Sequence, residues 1–309
     1  MYHKILVPLD GSKAAEYALP YARCIARGLQ TTIELLAVVD AVEMTRKLSA
    51  DEGLFLNSLI EDRTGTLENY LETVSKKFPH GLIQCKVENG NAADVIIESA
   101  AIDSGTLIAM ATHGRSGLDR WLVGSVAEKV LRGASNPLLL VRAGDTPVSW
   151  DMAAFKSVLV PLDGSELAES VLPTATDMAR NLDLEVILLR VYGIPYAAQS
   201  PGEGFFDNTQ LDAFITGLKS ESLEYLDGKI AALRKAGVTS IRTLARQGLP
   251  ADEIISCARE TPNSLVAMCT HGRSGVKRWV LGSVTETVVR HSTNPVLVVR
   301  PPMAKPYHE

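Results

Sequence analysis

The sequence predicts an α/β protein made of two tandem domains, each built around a parallel, doubly wound sheet with helices on both faces. Three observations predict this fold: short apolar runs alternate with helix-like segments, the runs are continuous as in strands buried on both faces, and the second half repeats the first. The length of 309 residues fits this organisation, since a domain holds about 150 residues. The hydrophobic share of 46% and the charged share of 22% exclude a disordered chain and a coiled-coil rod.

Five apolar runs in each half predict the strands of the two sheets. In the first half they lie at residues 5–9, 33–39, 82–88, 106–111 and 137–141. Helical spacing of apolar residues follows the first four strands, at residues 12–26, 67–78, 92–101 and 125–132, and Ser12 is predicted to cap the first helix. The strands of the second half are predicted at residues 158–162, 185–191, 240–245, 264–269 and 295–299.

The duplication rests on two repeated stretches. The sequence LVPLDGS occupies residues 6–12 and returns at residues 159–165, an offset of 153. Residues 111–142 and 269–300 are identical at 19 of 32 positions, at an offset of 158. Because chance does not produce such a match, the two halves are copies of one unit.

The change of offset from 153 to 158 places five extra residues in the second half. We expect them in the loop at residues 195–208, which is rich in Gly, Pro and Ala. The predicted organisation is a first domain at residues 1–143, a linker at 144–155, a second domain at 156–301 and a C-terminal tail at 302–309.

Charge and cysteine usage narrow the possible partners and the compartment. With 31 basic and 36 acidic residues the net charge is −5, so no overall basic surface is available for nucleic acid. No apolar run reaches the ~20 residues of a membrane helix, and the N-terminus lacks the apolar core of a signal peptide. The cysteines are scattered and form no C-x-x-C motif, which favours reduced thiols in a cytoplasmic protein. They are Cys24, Cys85, Cys257 and Cys269.

Two pairs of residues at predicted strand ends are candidates for contact with a ligand, because open α/β sheets bind ligands beyond the carboxyl ends of their strands. Asp10 and its twin Asp163 follow the first strand of each half. Such a carboxylate either accepts hydrogen bonds from a ribose or a base, or forms an Asx turn at the helix start. Val38 and Val191 end the second strand and are either an apolar shelf for a base or ordinary core residues.

A glycine-rich stretch at residues 112–125, repeated in the second half, is the strongest candidate for a phosphate site. Gly114 and Gly117 allow the backbone to approach a ligand closely. Gly124 and Ser125 then open a helix, whose free N–H groups and dipole favour an anion, although Ser125 could also serve only as a cap. Arg115 either meets a phosphate or solvates the loop. The twin residues are Gly272, Gly275, Gly282, Ser283 and Arg273.

The motifs VPLDGS, ATHGRSG…VGS and NPLLLVR resemble those of the universal stress protein family, here in tandem. The resemblance implies a Rossmann-like fold of the adenine nucleotide alpha hydrolase-like type, with five parallel strands per domain. The nucleotide-binding branch of that family carries G-x2-G-x9-G-S/T and binds ATP, with Mg²⁺ or Mn²⁺ at the phosphates. The motif maps onto Ala111, Gly114, Gly124 and Ser125 in the first half and onto Cys269, Gly272, Gly282 and Ser283 in the second.

The resemblance also implies that the two aspartates and the two valines lie at the adenine or ribose end, and the glycine-rich segments at the triphosphate. This chain departs from the motif where Ala111 and Cys269 replace its first glycine. An added Cβ would weaken binding if that position needs a positive φ, and would be tolerated if it only ends a strand. We favour the second alternative, because both residues finish apolar runs. A family turn, G-x-P, is kept at residues 248–250 and lacks its proline at residues 90–92.

The function predicted from these features is a regulatory, ATP-binding stress protein with at most slow ATP hydrolysis. No P-loop lysine motif occurs, and no nucleophile and base accompany His113 or His271. The alternatives are a nucleotide-free scaffold that acts through protein interfaces and an adenylate-handling enzyme of the same fold. The resemblance further implies an intramolecular pseudo-dimer through the strands at residues 137–141 and 295–299. We also expect a homodimer, and neither nucleic acid nor membrane as a partner.

Overall fold

The computed structural model describes residues 2–45, 56–78, 83–112, 123–144, 154–193, 208–270 and 281–300. The chain divides into two compact units, Met1–Ala154 and Phe155–Glu309. The division lies in the segment predicted as the linker, of which residues 145–153 are outside the described part. Each unit is an α/β fold in which strands and helices alternate, as the sequence predicts.

The first unit is a parallel sheet with strand order β3-β2-β1-β4-β5. Its strands are β1 (Lys4–Pro8), β2 (Thr32–Val39), β3 (Ile83–Asn89), β4 (Thr106–Ala111) and β5 (Leu138–Val141). Its helices are α1 (Leu19–Leu29), α2 (Ala41–Thr45), α3 (Leu56–Ser75), α4 (Ala92–Ala101) and α5 (Ser125–Gly133), and a 3-10 turn at Ala15–Ala18 precedes α1. The strand order reverses at β1, so β1 and β4 border the crevice where a ligand would bind.

The second unit repeats this arrangement with strand order β10-β9-β6-β7-β8, again parallel. Its strands are β6 (Ser157–Pro161), β7 (Glu185–Tyr192), β8 (Ile241–Gln247), β9 (Ser264–Cys269) and β10 (Val296–Val299). Its helices are α6 (Glu166–Glu169), α7 (Leu172–Leu182), α8 (Asn208–Lys235), α9 (Pro250–Glu260) and α10 (Ser283–His291). The predicted number and direction of strands is therefore confirmed in both units.

The core of each unit lies on the central strands. Every residue of β4 and of β9 is buried, because helices cover both faces of the sheet there. The outer strands β3 and β8 are mostly half-exposed or exposed. In the described part of the chain, no helix combines the length and the apolar character that crossing a membrane requires.

The helices at the start of the first unit depart from their prediction. The segment predicted as one helix at residues 12–26 is a 3-10 turn at Ala15–Ala18 followed by α1, which has Pro20 in its first turn. Proline is accepted there because the first helical N–H groups have no partner within the helix. Helix α3 begins eleven residues before the predicted start, and α2 was not predicted at all.

The long helices α3 and α8 occupy equivalent places in their units, because each carries a tyrosine whose hydroxyl reaches the equivalent glutamate of its own unit. The Tyr70 hydroxyl lies 3.4 Å from Glu16 Oε1, and the Tyr225 hydroxyl lies 2.6 Å from Glu169 Oε1. The glutamates differ by 153 positions and the tyrosines by 155. Two extra residues therefore precede Tyr225, and the other three lie between it and β8, where the offset is 158. The prediction that put all five at residues 195–208 is wrong for those three.

Candidate functional site

The turn after the first strand of each unit is an Asx turn. Asp10 Oδ1 accepts a hydrogen bond of 2.9 Å from the backbone N–H of Ser12. In the second unit, Asp163 Oδ1 accepts hydrogen bonds from Ser165, from its N–H at 2.9 Å and its hydroxyl at 2.6 Å. Of the two alternatives for these aspartates, the Asx turn is therefore present. It places each carboxylate at the carboxyl end of the central strand of its unit, β1 or β6.

These turns need glycine, and each serine then caps the helical turn that follows. Gly11 and Gly164 have φ of 84° and 88°, in the left-handed region that side chains disfavour. The hydroxyl of Ser12 accepts a hydrogen bond of 3.1 Å from the N–H of Ala15. In the second unit, the N–H of Ala168 donates a hydrogen bond of the same length to Ser165, which is the N-cap of α6. The bond predicted for Ser12 is thus present at the 3-10 turn, whereas α1 itself begins after Ala18 and has no side-chain cap.

The carboxyl ends of β4 and β9 are tied to the start of the next helix. The N–H of Gly124 donates a hydrogen bond of 2.6 Å to the carbonyl of Thr112, and Gly282 makes the twin bond to Thr270 at 2.8 Å. These bonds bring the two ends of each glycine-rich stretch together.

Glycine is the N-cap of helices α5 and α10, and serine is their first residue. Gly124 has φ −59° and ψ 149°, and Gly282 has φ −63° and ψ 140°. Neither cap is made by a side chain. The N-terminal N–H groups of a helix have no partner within it, and they favour an anion. Ser125 and Ser283 stand beside those groups, so the prediction that they open the helix is confirmed, and capping by Ser125 is ruled out.

Ala111 and Cys269 are ordinary strand residues. Each is the last residue of its strand, and they pair in register with Val141 and Val299 respectively. Among the described residues other than glycine, positive φ occurs at Gln30, Asp183 and Asn263. The strand-end alternative is therefore confirmed, and a Cβ at the first motif position causes no backbone strain.

Six of the predicted site residues lie outside the described part of the chain: Gly114, Arg115, Gly117, Gly272, Arg273 and Gly275. Their proximity to a ligand stays a prediction.

A cavity of about 490 Å³ opens at the carboxyl ends of the strands in the second unit. Its volume lies within the range of about 300–1,000 Å³ that is typical of small-molecule sites. The cavity brings together all five of the predicted second-unit residues that are described: Asp163, Val191, Cys269, Gly282 and Ser283. Much of the remaining wall is apolar and comes from Leu162, Leu189, Leu218, Ile254 and Met268.

The cavity also contains residues that the sequence reasoning missed. Arg190 and Glu221 line it, and Arg190 Nη2 lies 3.3 Å from Glu221 Oε1. The Arg190 guanidinium carbon lies 4.7 Å from the centre of the Tyr225 ring. A sequence signal was present: the strand EVILLRVY has arginine where the first half, TIELLAVV, has Ala37.

Burial and pairing shift the pKa values of the groups next to the cavity. Burial and then the hydrogen bond to Glu169 raise the pKa of Tyr225. For Glu169, burial acts to raise the pKa, but the hydrogen bonds from Lys229 and Tyr225 outweigh it and the net pKa is lowered. The tyrosine is thus neutral and the glutamate charged at neutral pH.

The polar groups of the described residues are dispersed rather than clustered for metal binding. In the ranges that the structure describes, no three side chains from His, Cys, Asp and Glu lie close enough together to hold a metal ion. The four cysteines are free thiols, two of them buried.

Comparison with known proteins gives consistent matches. A model of the universal stress protein family matches residues 1–142 and 154–300. The universal stress protein E homolog of Haemophilus influenzae is 26% identical, over 97% of this chain and 98% of its own. A universal stress protein of Methanocaldococcus jannaschii is 31% identical over 48% of this chain and 84% of its own. The crystal structure of a universal stress protein from Archaeoglobus fulgidus has a TM-score of 0.68 at 22% identity, covering 98% of this chain and 100% of that one, which shows a shared fold.

Proposed function

Because the chain belongs to the universal stress protein family, we propose that it is a regulatory module that binds ATP at one site in each unit. The adenine and ribose lie by Asp10 and Val38 in the first unit, and by Asp163 and Val191 in the second. The triphosphate lies at the N-terminus of α5 or α10. Mg²⁺ or Mn²⁺ is held mainly by the phosphates.

The cavity of the second unit is the observation that carries this proposal. Its lining combines an aspartate at the end of β6, a valine at the end of β7 and a helix start after β9. These are three different kinds of group, and they are arranged across three neighbouring strands. An adenine nucleotide needs the same three: an acceptor for its hydroxyl or amino groups, an apolar shelf for its base and donors for its phosphates.

The start of α10 suits a phosphate for a physical reason. Gly282 as the cap adds no side chain over the first turn, and Ser283 lines the cavity beside it. A phosphate there accepts hydrogen bonds from backbone N–H groups and interacts with the positive end of the helix dipole. Helix α5 begins in the same way after Gly124, which supports an equivalent site in the first unit.

We propose regulation rather than efficient catalysis as the use of this site. Among the described cavity residues, the Asp163 oxygen Oδ1 is engaged by Ser165, and no nucleophile stands beside a general base as hydrolytic sites require. ATP would act by favouring one state of the glycine-rich loops over another, and so change the surface offered to a partner. Hydrolysis, if it occurs, would be slow.

One observation favours the second candidate, a nucleotide-free scaffold. Cys269 is among the cavity residues at the position where the family motif has glycine, and it is 5% exposed. A residue with a side chain at this position leaves less room beside the strand end than glycine would. In the first unit, the side chain of Ala111 is smaller and takes up less volume at this position.

The proposals for assembly and location rest on the sheet edges and on the free cysteines. We propose that the strands at residues 137–141 and 295–299 pair within one chain, because pairing removes two open sheet edges. Two chains would then form a homodimer, which light scattering after size-exclusion chromatography would detect as twice the 33.3 kDa of the chain. Four free thiols support a cytoplasmic location.

The test of nucleotide binding uses the purified full-length protein. Mass spectrometry of the material released by heat should identify an adenine nucleotide, and calorimetric titration of the emptied protein should show up to two ATP per chain. Finding no released nucleotide and no binding at millimolar ATP would reject the proposal in favour of the scaffold.

A further inference from the structure

The second unit carries a cation where the first unit has none at the matching position. Arg190 on β7 corresponds to Ala37 on β2, at the offset of 153. Ala37 is fully buried, whereas Arg190 lines the cavity and its side chain is only 13% exposed. The guanidinium of an arginine carries its positive charge throughout the physiological pH range. At this position the second unit therefore has a cation that the first unit lacks, and Glu221, which also lines the cavity, pairs with it.

The guanidinium of Arg190 is held in place from one side. It lies over the Tyr225 ring at 4.7 Å, a cation–π distance. The Tyr225 hydroxyl is in turn fixed by Glu169 at 2.6 Å, and Glu169 pairs with Lys229 at 2.7 Å. This support orders the cation before any ligand arrives, which lowers the entropic cost of using it.

The ion pair between Arg190 and Glu221 can open at little cost. The two charged groups are 3.3 Å apart, and the Glu221 side chain is 67% exposed. Ion pairs with such an exposed partner contribute little to stability, since water solvates the free carboxylate well. An anionic ligand can therefore displace Glu221 and receive the planar pair of N–H donors that arginine offers to phosphate.

The two anion-binding positions of the second unit lie on opposite sides of β6. The N-terminus of α10 follows β9, Arg190 stands near the end of β7, and β6 runs between these strands. Two strand spacings separate them, or roughly 10 Å. Asp163, at the end of β6, lies between the two positions. A ligand with phosphates at both ends of a ribose would span this arrangement.

We propose that the second unit selects adenine nucleotides that carry an additional phosphate on the 2′ or 3′ oxygen of the ribose, with Arg190 as the residue that recognises it. The first unit, with Ala37 at that place, does not discriminate in this way. This inference rests on the proposed function, because it assigns the ribose to the neighbourhood of Asp163.

The test uses the full-length Gly124→Glu protein, in which a carboxylate weakens the first site so that the second site is the tighter one in the titration. Calorimetric titration compares AMP with adenosine 2′,5′-bisphosphate and adenosine 3′,5′-bisphosphate. One of the bisphosphates should bind about tenfold more tightly than AMP, the size expected of hydrogen bonds between charged groups. Arg190→Gln should reduce this ratio to about one and leave the affinity for AMP within about twofold.

A matched control is Arg242→Gln. Arg242 lies on the neighbouring strand β8 and pairs with Glu185 at 3.2 Å, and it is not among the cavity residues. This variant should keep the tenfold preference. Arg190→Met repeats the loss of charge with an apolar chain of similar length, and a thermal midpoint close to that of the parent shows that either variant is folded.

Each result decides between the two proposals. Equal affinity for AMP and both bisphosphates in the parent, or an unchanged preference in a folded Arg190 variant, overturns the role of Arg190 but leaves nucleotide binding intact. Failure of the wild-type protein to bind ATP or AMP overturns both.

Discussion

The Tyr225 hydroxyl donates a hydrogen bond of 2.6 Å to the carboxylate of Glu169, and so ties helix α8 to the short helix after β6. The same contact recurs in the first unit between Tyr70 and Glu16, at 3.4 Å. The contact is present in both units, although its partners are 54 residues apart in the first unit and 56 apart in the second. Both glutamates follow the predicted ligand aspartate by six positions. The contact therefore braces the turn that carries that aspartate.

Removing the Tyr225 hydroxyl should destabilise the second unit. In Tyr225→Phe, Glu169 keeps Lys229 at 2.7 Å as a partner, so the expected loss is about 1–2 kcal/mol in the free energy of unfolding. Tyr70→Phe serves as the matched variant and should lose under about 1 kcal/mol, because its bond is longer. Native-state hydrogen exchange of β6 and β1 amides would report the two units separately. A larger effect in the first unit would contradict this account.

The same tyrosines predict how stability changes at alkaline pH. Burial, followed by the neighbouring glutamate, raises the pKa of Tyr70 and of Tyr225 above the ordinary 10.0. Between the unfolded and folded pKa values the folded state holds more protons, so the stabilisation is complete below pH 10.0 and is lost as the pH rises further. Denaturant unfolding from pH 9 upward should show this decline, and Tyr225→Phe should make it shallower. Parallel curves for the two proteins would count against the prediction.

The sequence predicted the strands closely because they are continuous apolar runs with polar ends. Strands β4 and β9 have the bounds expected for residues 106–111 and 264–269. Contacts between distant segments could not be predicted in this way. The Tyr225–Glu169 bond joins residues 56 positions apart, and only the packing of α8 on the sheet brings Arg190 and Glu221 together. The periodicity of a single chain carries no information on such pairs.

Thr285 gives the second site a brace that the first site lacks. Its hydroxyl donates a buried hydrogen bond of 2.9 Å to the carbonyl of Cys269, linking α10 to the end of β9. The twin residue is Ala127. Thr285→Val keeps the shape but loses the donor, so the second unit should lose about 1 kcal/mol of stability.

A control for this substitution lies on the same helix. Thr287 makes a bond of 2.8 Å to the carbonyl of Ser283, but it is exposed. Thr287→Val should therefore cost under about 0.5 kcal/mol in the same unfolding measurement. If the two variants unfold alike, the Thr285 bond does not stabilise the link between α10 and β9.

The glycine caps allow the proposed phosphate positions to be tested by charge alone. Gly124 and Gly282 have φ near −60°, a conformation open to any residue, so substitution there causes no backbone strain. A glutamate at either cap places a carboxylate next to the phosphate position, and the repulsion should weaken ATP binding about tenfold or more. Each single variant, Gly124→Glu or Gly282→Glu, should keep one site per chain at the wild-type affinity and weaken the other, and the double variant should weaken both.

Glutamine at the same caps separates charge from bulk. Gly282→Gln has nearly the same volume as Gly282→Glu but adds no charge, so its affinity for ATP should stay much closer to that of the wild type. Calorimetry on both variants measures the difference, which should shrink in high salt if it is electrostatic. Equal losses in the two variants would show that the cap position is sterically closed. Undiminished binding in the double glutamate variant would show that the phosphates do not lie at these helix starts, because a carboxylate and a triphosphate cannot share the positive end of one helix.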